Sequence, residues 1–381
     1  MLLRFLAMWA LPQLSDDYFR FIWDGLLLSQ GENPFALLPS EWMQQPDRAA
    51  ELGLREALFE GMNSPDYFTI YPPVLQAIFG LAAWMFPSNT LAAVWVMKGF
   101  IFVAEGLSLL LLVRLLRIWN MPVNWIAIYA LNPLIIIEFC GSLHFEALMI
   151  LGLLMVLWML AQGWSWGAIL PFAFAVDVKL LPLMLLPVMV RYLGWLRAIL
   201  FGLGVIGVSV VMFLPLFEWE TFTHLGESVD LYFQSFEFNA SLYYVVREVG
   251  YVWKGYNIIG IAGRILPIIV IAGIAILSLR REAKSLASLP VDWLAVFSLY
   301  FALASIVHPW YSGVLVALAS LGRYLFPIIW TVLLPLTYAA YRTDQYAEEL
   351  WLVFIEYAVV YSWAWLEWRN RSFAKDESQD V

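Results

Sequence analysis

The sequence predicts an all-α polytopic membrane protein, and its composition and hydropathy pattern are the observations behind that prediction. Of its 381 residues, 62% are hydrophobic, 17% aromatic and only 13% charged, and the mean hydropathy is +0.77. A soluble domain carries about a quarter charged residues, so this chain lacks the polar surface that water requires. The single cysteine, Cys140, excludes an internal disulfide and a cysteine-based zinc site. Three histidines in the whole chain argue against a histidine-rich metal centre.

Apolar runs mark the expected membrane helices. Several are shorter than the roughly 20 residues that span a bilayer, and proline interrupts them, as in "KLLPLMLLPVMV". Broken helices of this kind suit a bundle that surrounds a cavity, because backbone groups freed in lipid need partners. We expect a bundle of about 11–13 transmembrane helices, with interfacial helices in the first outer loop in addition. The strong runs are Leu91–Leu116, Val123–Phe139, Glu146–Leu160, Trp166–Val176, Leu180–Val190, Ala198–Phe217, Ile258–Leu279, Asp292–Val307, Tyr311–Leu321, Tyr324–Tyr341 and Leu350–Trp365.

Lysine and arginine predict the sidedness of these helices. They cluster in alternate short connections, which the positive-inside rule assigns to the cytoplasm. Counting back from them places the N-terminus inside and the adjacent aspartates Asp16 and Asp17 outside. The stretch Met1–Pro12 holds only about a dozen apolar residues, too few for a full span, so we expect the sequence to begin inside a longer first helix. The clusters are Arg114 with Arg117, Arg191 with Arg197, Arg280 and Arg281 with Lys284, Arg323, and Arg369 with Arg371.

Two long connections fall on the outer side and form the expected caps of a single domain, 1–381. Residues 15–70 hold ten acidic and three basic residues, and residues 217–256 hold six acidic and two basic. Both are rich in aromatic residues, which favour the membrane surface. Residues 71–87 lie between an outer loop and a helix that must run inwards, so we expect an interfacial or re-entrant helix, with an ordinary span as the alternative. Residues 367–381 are expected to be a cytoplasmic tail.

Several ionisable residues are expected to meet at the outer face. Asp16 and Asp17 end the first apolar segment, and the other candidates lie at outer turns. Ionisable groups at the edge of apolar segments are costly and mark candidate functional sites. A carboxylate there suits a general base, and cations or hydrogen-bond donors suit a departing phosphate. The further members are His144 and Glu146 in "GSLHFEALM", Asp177 and Lys179 in "AVDVKLLP", and His308 in "IVHPWY".

Structural alternatives exist for each candidate. Asp17 would be an ordinary helix-end residue if it paired with Arg20, and Asp177 with Lys179 would form a local ion pair if their turn is extended. Glu146 would then only favour a helix N-terminus, and His308 would bond to the backbone. Two adjacent carboxylates also suit a hard divalent cation such as Mg²⁺ or Mn²⁺, but no dedicated ligand spacing accompanies them.

The ordered set of motifs resembles the bacterial polyprenyl-phosphate-mannose-dependent mannosyltransferases of the GT-C superfamily. It is more distantly similar to the eukaryotic enzyme that adds the first mannose to GPI anchors. The motifs are "LSDDYFRFIWDGLLLSQGENPF", "FTIYPPVLQAIFGL", "LNPLIIIEFCGSLHFEALMILGLLM", "VKLLPLMLLPVMVRYLGW", "FEFNASLYYVVREVGY" and "HPWY". Phe145 and Glu146 depart from the usual pattern of the third motif.

The resemblance implies a GT-C-like bundle whose first outer loop carries interfacial helices and the catalytic acids Asp17 and Asp16. It implies an inverting transfer of a sugar, mannose above all, from a polyprenyl-phosphate carrier to a glycan or lipid acceptor. The reaction would face the periplasm or exterior of a bacterial inner membrane, with the lipid bilayer as partner and no nucleic acid. We expect the substrates to contact Lys179, His144, Glu146, His308, Tyr71, Arg20 and Asp24.

Two other functions remain as alternatives. A polysaccharide ligase or polymerase would use lipid pyrophosphate donors, for which more outer arginines are expected than Arg20, Arg48, Arg55 and Arg247. A lipid-sugar flippase or transporter often shows halves related by an internal repeat, and the sequence shows no such symmetry.

Overall fold

The protein is helical throughout the part of the chain that the structure describes. This computed structural model describes residues 1–280, 283, 285–342 and 346–377, without the side chains of residues 232, 233 and 372–377. Within these ranges, extended pairing is limited to one isolated parallel bridge between Phe238 and Ile306. The predicted all-α class is confirmed. Of the positive clusters, Arg281 and Lys284 lie outside the described residues.

Among the described residues, five stretches are long and apolar enough to cross a membrane, and a sixth is a helix pair bent by 52°. Six shorter apolar helices of 10–17 residues accompany them. A polytopic membrane protein is therefore confirmed, whereas the expected number of about 11–13 crossings stays a prediction because it depends on the short helices. The long stretches are Thr90–Ile118, Trp195–Leu216, Ile259–Ser278, Leu286–Leu303 and Leu350–Arg371, the bent pair is Val123–Ala130 with Pro133–Gly141, and the short helices are Pro73–Met85, Glu146–Ala161, Ile169–Val178, Leu181–Leu193, Pro309–Gly322 and Phe326–Tyr341.

The first third of the chain forms helices α1 to α7. The short α1 is fixed to the middle of α7 by Arg4, whose Nε lies 2.5 Å from Oε2 of Glu105. Both side chains are buried, at 1% and 0% exposure. Removing either partner would therefore leave an uncompensated buried charge. The helices are α1 (Leu2–Ala7), α2 (Asp17–Ser29), α3 (Pro39–Met43), α4 (Pro46–Glu51), α5 (Glu56–Glu60), α6 (Pro73–Met85) and α7 (Thr90–Ile118).

Helix α2 packs closely on α6. At Gly25 an added Cβ would lie 2.3 Å from the carbonyl oxygen of Phe79, so only glycine permits this approach. Two hydrogen bonds join this region to earlier residues: Gln76 of α6 donates to Asp24 of α2 at 3.0 Å, and the carbonyl of Ser88, beyond the end of α6, accepts from Arg55 at 3.1 Å. Helix α6 and the turn after it are thus joined to residues 15–70.

The middle of the chain contains a bent helix pair and then a bundle. After a 3₁₀ turn at Val123–Ile126, α8 and α9 lead into a π-helical turn, Ile136–Gly141, and α10 follows. Helix α10 packs between α7 and α11, and α13 packs on α11. The helices are α8 (Ala127–Ala130), α9 (Pro133–Ile135), α10 (Glu146–Ala161), α11 (Ile169–Val178), α12 (Val190–Leu193) and α13 (Trp195–Phe213), with 3₁₀ turns at Leu181–Leu185, Pro187–Met189 and Leu214–Leu216.

The last part of the chain contains residues 217–256 and then helices α16 to α20 of the bundle. Within residues 217–256, α15 buries Tyr243 and Tyr244 on one side and exposes Val245, Val249 and Val252 on the other. The predicted tail, 367–381, continues α20 as far as Glu377, and residues 378–381 lie outside the described part. The helices are α14 (Thr221–Ser235), α15 (Leu242–Lys254), α16 (Ile259–Ser278), α17 (Leu289–Leu303), α18 (Ser312–Gly322), α19 (Phe326–Leu333) and α20 (Leu350–Glu377), with 3₁₀ turns at Leu286–Ser288, Pro309–Tyr311 and Leu334–Tyr341.

Candidate active site

Asp16 and Asp17 lie at the N-terminus of α2, where the helix dipole favours negative charge. Asp16 occupies the cap position, yet its side chain makes no capping hydrogen bond and is exposed. Asp17 is the first helical residue, is half-buried, and accepts a hydrogen bond from Asn63 Nδ2 at 3.2 Å. Partial burial and the neighbouring charge of Asp17 raise the pKa of Asp16. The two acids therefore differ in environment although they are adjacent.

Arg20 and Asp24, one turn further along α2, form a buried network. Arg20 Nε donates to Asp24 Oδ1 at 2.8 Å, and its Nη1 donates to the carbonyl oxygens of Ser64 and Tyr67 at 3.1 and 2.8 Å. The second oxygen of Asp24 accepts from Thr69 Oγ1 at 2.5 Å. The pairing of Arg20 with Asp17 that the sequence left open is thus replaced by one with Asp24.

Lys179 and Glu146 form an ion pair between the end of α11 and the start of α10. Lys179 Nζ also lies 3.8 Å from the ring centroid of Tyr311. Lys179 is 29% exposed, whereas Glu146 is 6% exposed. The local pair of Lys179 with Asp177 that the sequence left open does not form, and Asp177 is buried within α11.

His144 precedes α10 and stacks on Trp310. The ring centroids are 3.7 Å apart, and His308 stacks on the same indole at 4.3 Å. Burial and the charges of Lys179 and His144 lower the pKa of His308 to about 3, so His308 is a neutral imidazole at physiological pH. Burial also disfavours charge on His144, but contact with Glu138 and the charges of Glu138, Glu146 and Asp17 outweigh it and raise its pKa.

Tyr71 packs against α2 and α6. Its ring lies edge-on to Phe21 and Phe79, with centroids 5.0 and 5.5 Å away. Burial, followed by the charge of Asp17, raises the pKa of Tyr71 well above its usual value, and Glu146 contributes in the same direction. The charge of Asp17 thus acts on both Tyr71 and His144.

Phe145, one of the two departures from the usual motif, is a packing residue. Its ring centroid lies 5.5 Å from those of both Phe21 and Phe79, so it joins the start of α10 to α2 and α6. The structure thus brings together six of the nine predicted site residues, while Arg20 and Asp24 lie in the buried network and Asp16 at the exposed rim. The six are Asp17, Tyr71, His144, Glu146, Lys179 and His308.

The sequence analysis missed Glu138. This residue is 0% exposed in the π-helical turn, and Tyr338 donates a hydrogen bond to its Oε1. The signal was a carboxylate in the middle of the apolar run "LIIIEFCG". The same criterion would have found Lys98 and Glu105 in α7, where Lys98 Nζ donates to the carbonyl oxygens of Ala10 and Gly141 at 2.5 and 2.6 Å.

The residues that the structure describes contain no group of three or more histidine, cysteine, aspartate or glutamate side chains placed to hold a metal ion. Asp16 and Asp17 would offer a cation two carboxylates. Mg²⁺ in such sites takes further oxygen ligands from substrate phosphates and water.

Comparison with known proteins gives the family. The model of the alpha-(1->6)-mannopyranosyltransferase family, N-terminal domain, matches residues 1–195, which include both aspartates, the π-helical turn and Lys179. No curated protein and no solved structure matches the chain. With a membrane-spanning helical bundle and half of its length matched by this mannosyltransferase family, the chain belongs to the alpha-(1->6)-mannopyranosyltransferase family and is a membrane glycosyltransferase.

Proposed function

We propose that the protein transfers mannose from a polyprenyl-phosphate carrier to a glycan or lipid acceptor at the outer face of the bacterial inner membrane, with inversion. The single observation that supports this most is the cluster of Lys179, His144 and His308 around Trp310 and Tyr311, with Asp17 near enough for its charge to act on His144. Asp17 offers a base, and the cluster offers donors to an anion. The name of the family suggests that the new linkage is alpha-(1->6).

Asp17 is the proposed general base, and Asp16 supports it. We choose Asp17 over Asp16 because the charge of Asp17 acts on Tyr71 and His144. It takes the proton of the acceptor hydroxyl while that oxygen attacks the anomeric carbon. The charge of Asp16 next to it disfavours a second negative charge and so makes proton uptake by the pair easier.

Lys179 is the proposed main contact of the departing phosphate. An ammonium group has three donors, and Lys179 directs one to Glu146 and lies over the ring of Tyr311. The electron pair of the broken bond between the anomeric carbon and oxygen stays on the phosphate, where this cation stabilises it. His308, a neutral imidazole, donates at most one hydrogen bond to the same phosphate.

The remaining predicted contacts take different roles. Tyr71 and Glu146 line the site between the acids and the cation. Arg20 and Asp24 hydrogen-bond to each other and to Ser64, Tyr67, Thr69 and Gln76, and we assign them the task of holding residues 64–69 over α2. The two hydrogen bonds that join α6 and the turn after it to residues 15–70 support an interfacial rather than a crossing helix for 71–87.

Donor choice tests this proposal. The purified protein is reconstituted into proteoliposomes with polyprenyl-phosphate mannose, polyprenyl-pyrophosphate-linked sugar or GDP-mannose, and the product is analysed by mass spectrometry and by NMR of the anomeric proton. We expect product from the monophosphate donor only, with inverted configuration. Product from the pyrophosphate donor alone would favour the ligase or polymerase, and lipid-sugar crossing the bilayer without a new glycoside would favour the flippase.

A further inference from the structure

Glu138 is a carboxylate that the proposed reaction leaves without a task. It lies fully buried in the bent apolar pair Val123–Gly141, where an ionisable group is costly unless it has a function or a partner. Its backbone belongs to the π-helical turn Ile136–Gly141, a rare conformation that occurs frequently at functional sites. Tyr338 donates to Oε1. Oε2 makes no hydrogen bond that meets ordinary geometry within the described residues.

Oε2 of Glu138 lies next to the imidazole ring of His144. Nδ1 of His144 is 2.9 Å from the carbonyl oxygen of Glu138 and 3.2 Å from its Oε2. The backbone N–H of His144 donates to the same carbonyl oxygen at 3.2 Å. One residue therefore contacts both the main chain and the ring of His144, which fixes the direction of the imidazole.

The fixed direction leaves the other ring nitrogen available. Nε2 is on the opposite edge of the ring from Nδ1, is buried, and has no hydrogen-bond partner among the residues described. Trp310 covers one face of the ring at 3.7 Å. A buried donor without a partner is destabilising, and a bound acceptor would remove that cost.

The turn before His144 is strained and braced. Leu143 has φ of 67°, a left-handed conformation that a bulky residue adopts only under constraint. Lys98 holds the end of the π-helical turn through the carbonyl oxygen of Gly141 at 2.6 Å. Phe139 of the same turn packs against Gly313, where an added Cβ would lie 2.3 Å from the ring. Such bracing is expected where the position of one side chain matters.

We propose that Glu138 is a positioning residue for the transfer reaction: it holds Nδ1 of His144 and so aims Nε2–H at the departing phosphate. The phosphate oxygen that retains the electron pair of the broken bond accepts the hydrogen bond from Nε2. This role rests on the proposed function, since without a phosphate leaving group Nε2–H has no assigned acceptor.

The charges around His144 agree with this role. Glu138 from the π-helical turn, Glu146 from α10 and Asp17 from α2 favour the imidazolium. His308 stacks on the same indole as His144, and the charges of Lys179 and His144 both act on it. The balance raises the pKa of His144 above 6.5, and Glu138 is the largest contributor to the increase.

The chain offers a direct test because it contains only three histidines: His144, His224 and His308. Protein labelled with ¹⁵N-histidine is reconstituted into nanodiscs and titrated by NMR, and the signal of His144 is assigned by its loss in His144→Asn. In the wild type this signal should titrate above pH 6.5. In Glu138→Gln its midpoint should fall by about one pH unit or more, a tenfold change in proton affinity, and the high-pH limb of mannosyl transfer should move down by the same amount.

Two controls separate charge from general damage. Tyr338→Phe removes the donor to Oε1 but keeps the carboxylate at Nδ1, so the midpoint should not fall. Glu51→Gln, at an exposed pair with Arg48, should change neither the midpoint nor the rate. A midpoint in Tyr338→Phe as low as in Glu138→Gln would contradict a charge effect.

The inference and the proposed function fail in different ways. An unchanged midpoint in Glu138→Gln, or a lowered midpoint without a shifted rate profile, would overturn the role of Glu138 while transfer from the monophosphate donor persists. If Glu138→Gln does not fold, the wild type still decides, because titration of His144 at or below pH 6.5 would contradict the proposal. A complete lack of transfer from polyprenyl-phosphate mannose would instead reject the proposed function. The NMR midpoints would still show whether Glu138 acts on His144.

Discussion

Replacing Asp24 with asparagine should destabilise the protein because it removes one member of a buried ion pair. Asp24 is 0% exposed and accepts from Arg20 at 2.8 Å, from Thr69 at 2.5 Å and from Gln76 at 3.0 Å. Asparagine keeps the shape but offers one acceptor oxygen, and its amide group meets donors. Arg20, which is 3% exposed, then keeps its charge with neutral acceptors alone as partners.

The expected cost follows from that uncompensated charge. Breaking a buried pair by removing one partner costs about 3–5 kcal/mol, and the carbonyls of Ser64 and Tyr67 place this case near the lower value. At 1.4 kcal/mol per factor of ten, amide hydrogen exchange of residues 64–69 should rise about a hundredfold. The thermal unfolding temperature in nanodiscs should fall, whereas Glu51→Gln at the exposed Arg48 pair should leave it unchanged.

One result would refute this reasoning. If Asp24→Asn keeps the wild-type unfolding temperature and exchange rates yet abolishes transfer, Asp24 contacts the substrate directly. The original expectation from the sequence would then be correct, and the scaffold role derived from the buried network would be wrong.

Three further predictions test other parts of the structure. Gly25→Ala should cost about 1–3 kcal/mol of unfolding free energy, seen as a lower unfolding temperature, because its Cβ would lie 2.3 Å from the backbone of Phe79; Gly99→Ala, with open space around it, should be tolerated. Lys179→Met should reduce kcat about a hundredfold or more with little change in unfolding temperature, and Lys254→Met, far along the exposed α15, should keep full activity. Burial raises the pKa of Glu348 from 4.5 to about 7, so the folded state loses stability as pH rises from about 4.5 to 7. Glu348→Gln should therefore raise the unfolding temperature at pH 8 and lose that gain towards pH 4.5, and an equal gain at both pH values would contradict the assignment.

Helix boundaries followed from the sequence where apolar runs end at polar or glycine residues. The apolar run Glu146–Leu160 corresponds to the observed helix Glu146–Ala161, and the run Ile258–Leu279 corresponds to the observed helix Ile259–Ser278. Hydropathy predicts these segments well because lipid imposes one simple requirement on them. The π-helical turn at Ile136–Gly141 was not predictable, since it depends on Lys98, Phe139 and Gly313 meeting in the folded chain.

The sequence predicted which residues lie near one another better than it predicted which of them form pairs. The sequence placed Asp17, His144, Lys179 and His308 at one face by counting positive clusters. It could not decide whether Arg20 pairs with Asp17 or Asp24, because both lie within one helical turn and burial makes the choice. The pair of Lys179 with Glu146 joins residues 33 positions apart, which only the packing of α10 on α11 reveals.

The most direct measurement of the central claim is mannosyl transfer by aspartate variants in proteoliposomes. Asp16→Asn, Asp17→Asn and the double variant are compared with the wild type, using polyprenyl-phosphate mannose and circular dichroism to verify the fold. The proposed mechanism predicts loss of transfer in Asp17→Asn and in the double variant, with an intact helical spectrum. Full activity in both single variants and in the double variant would contradict an aspartate base at the start of α2.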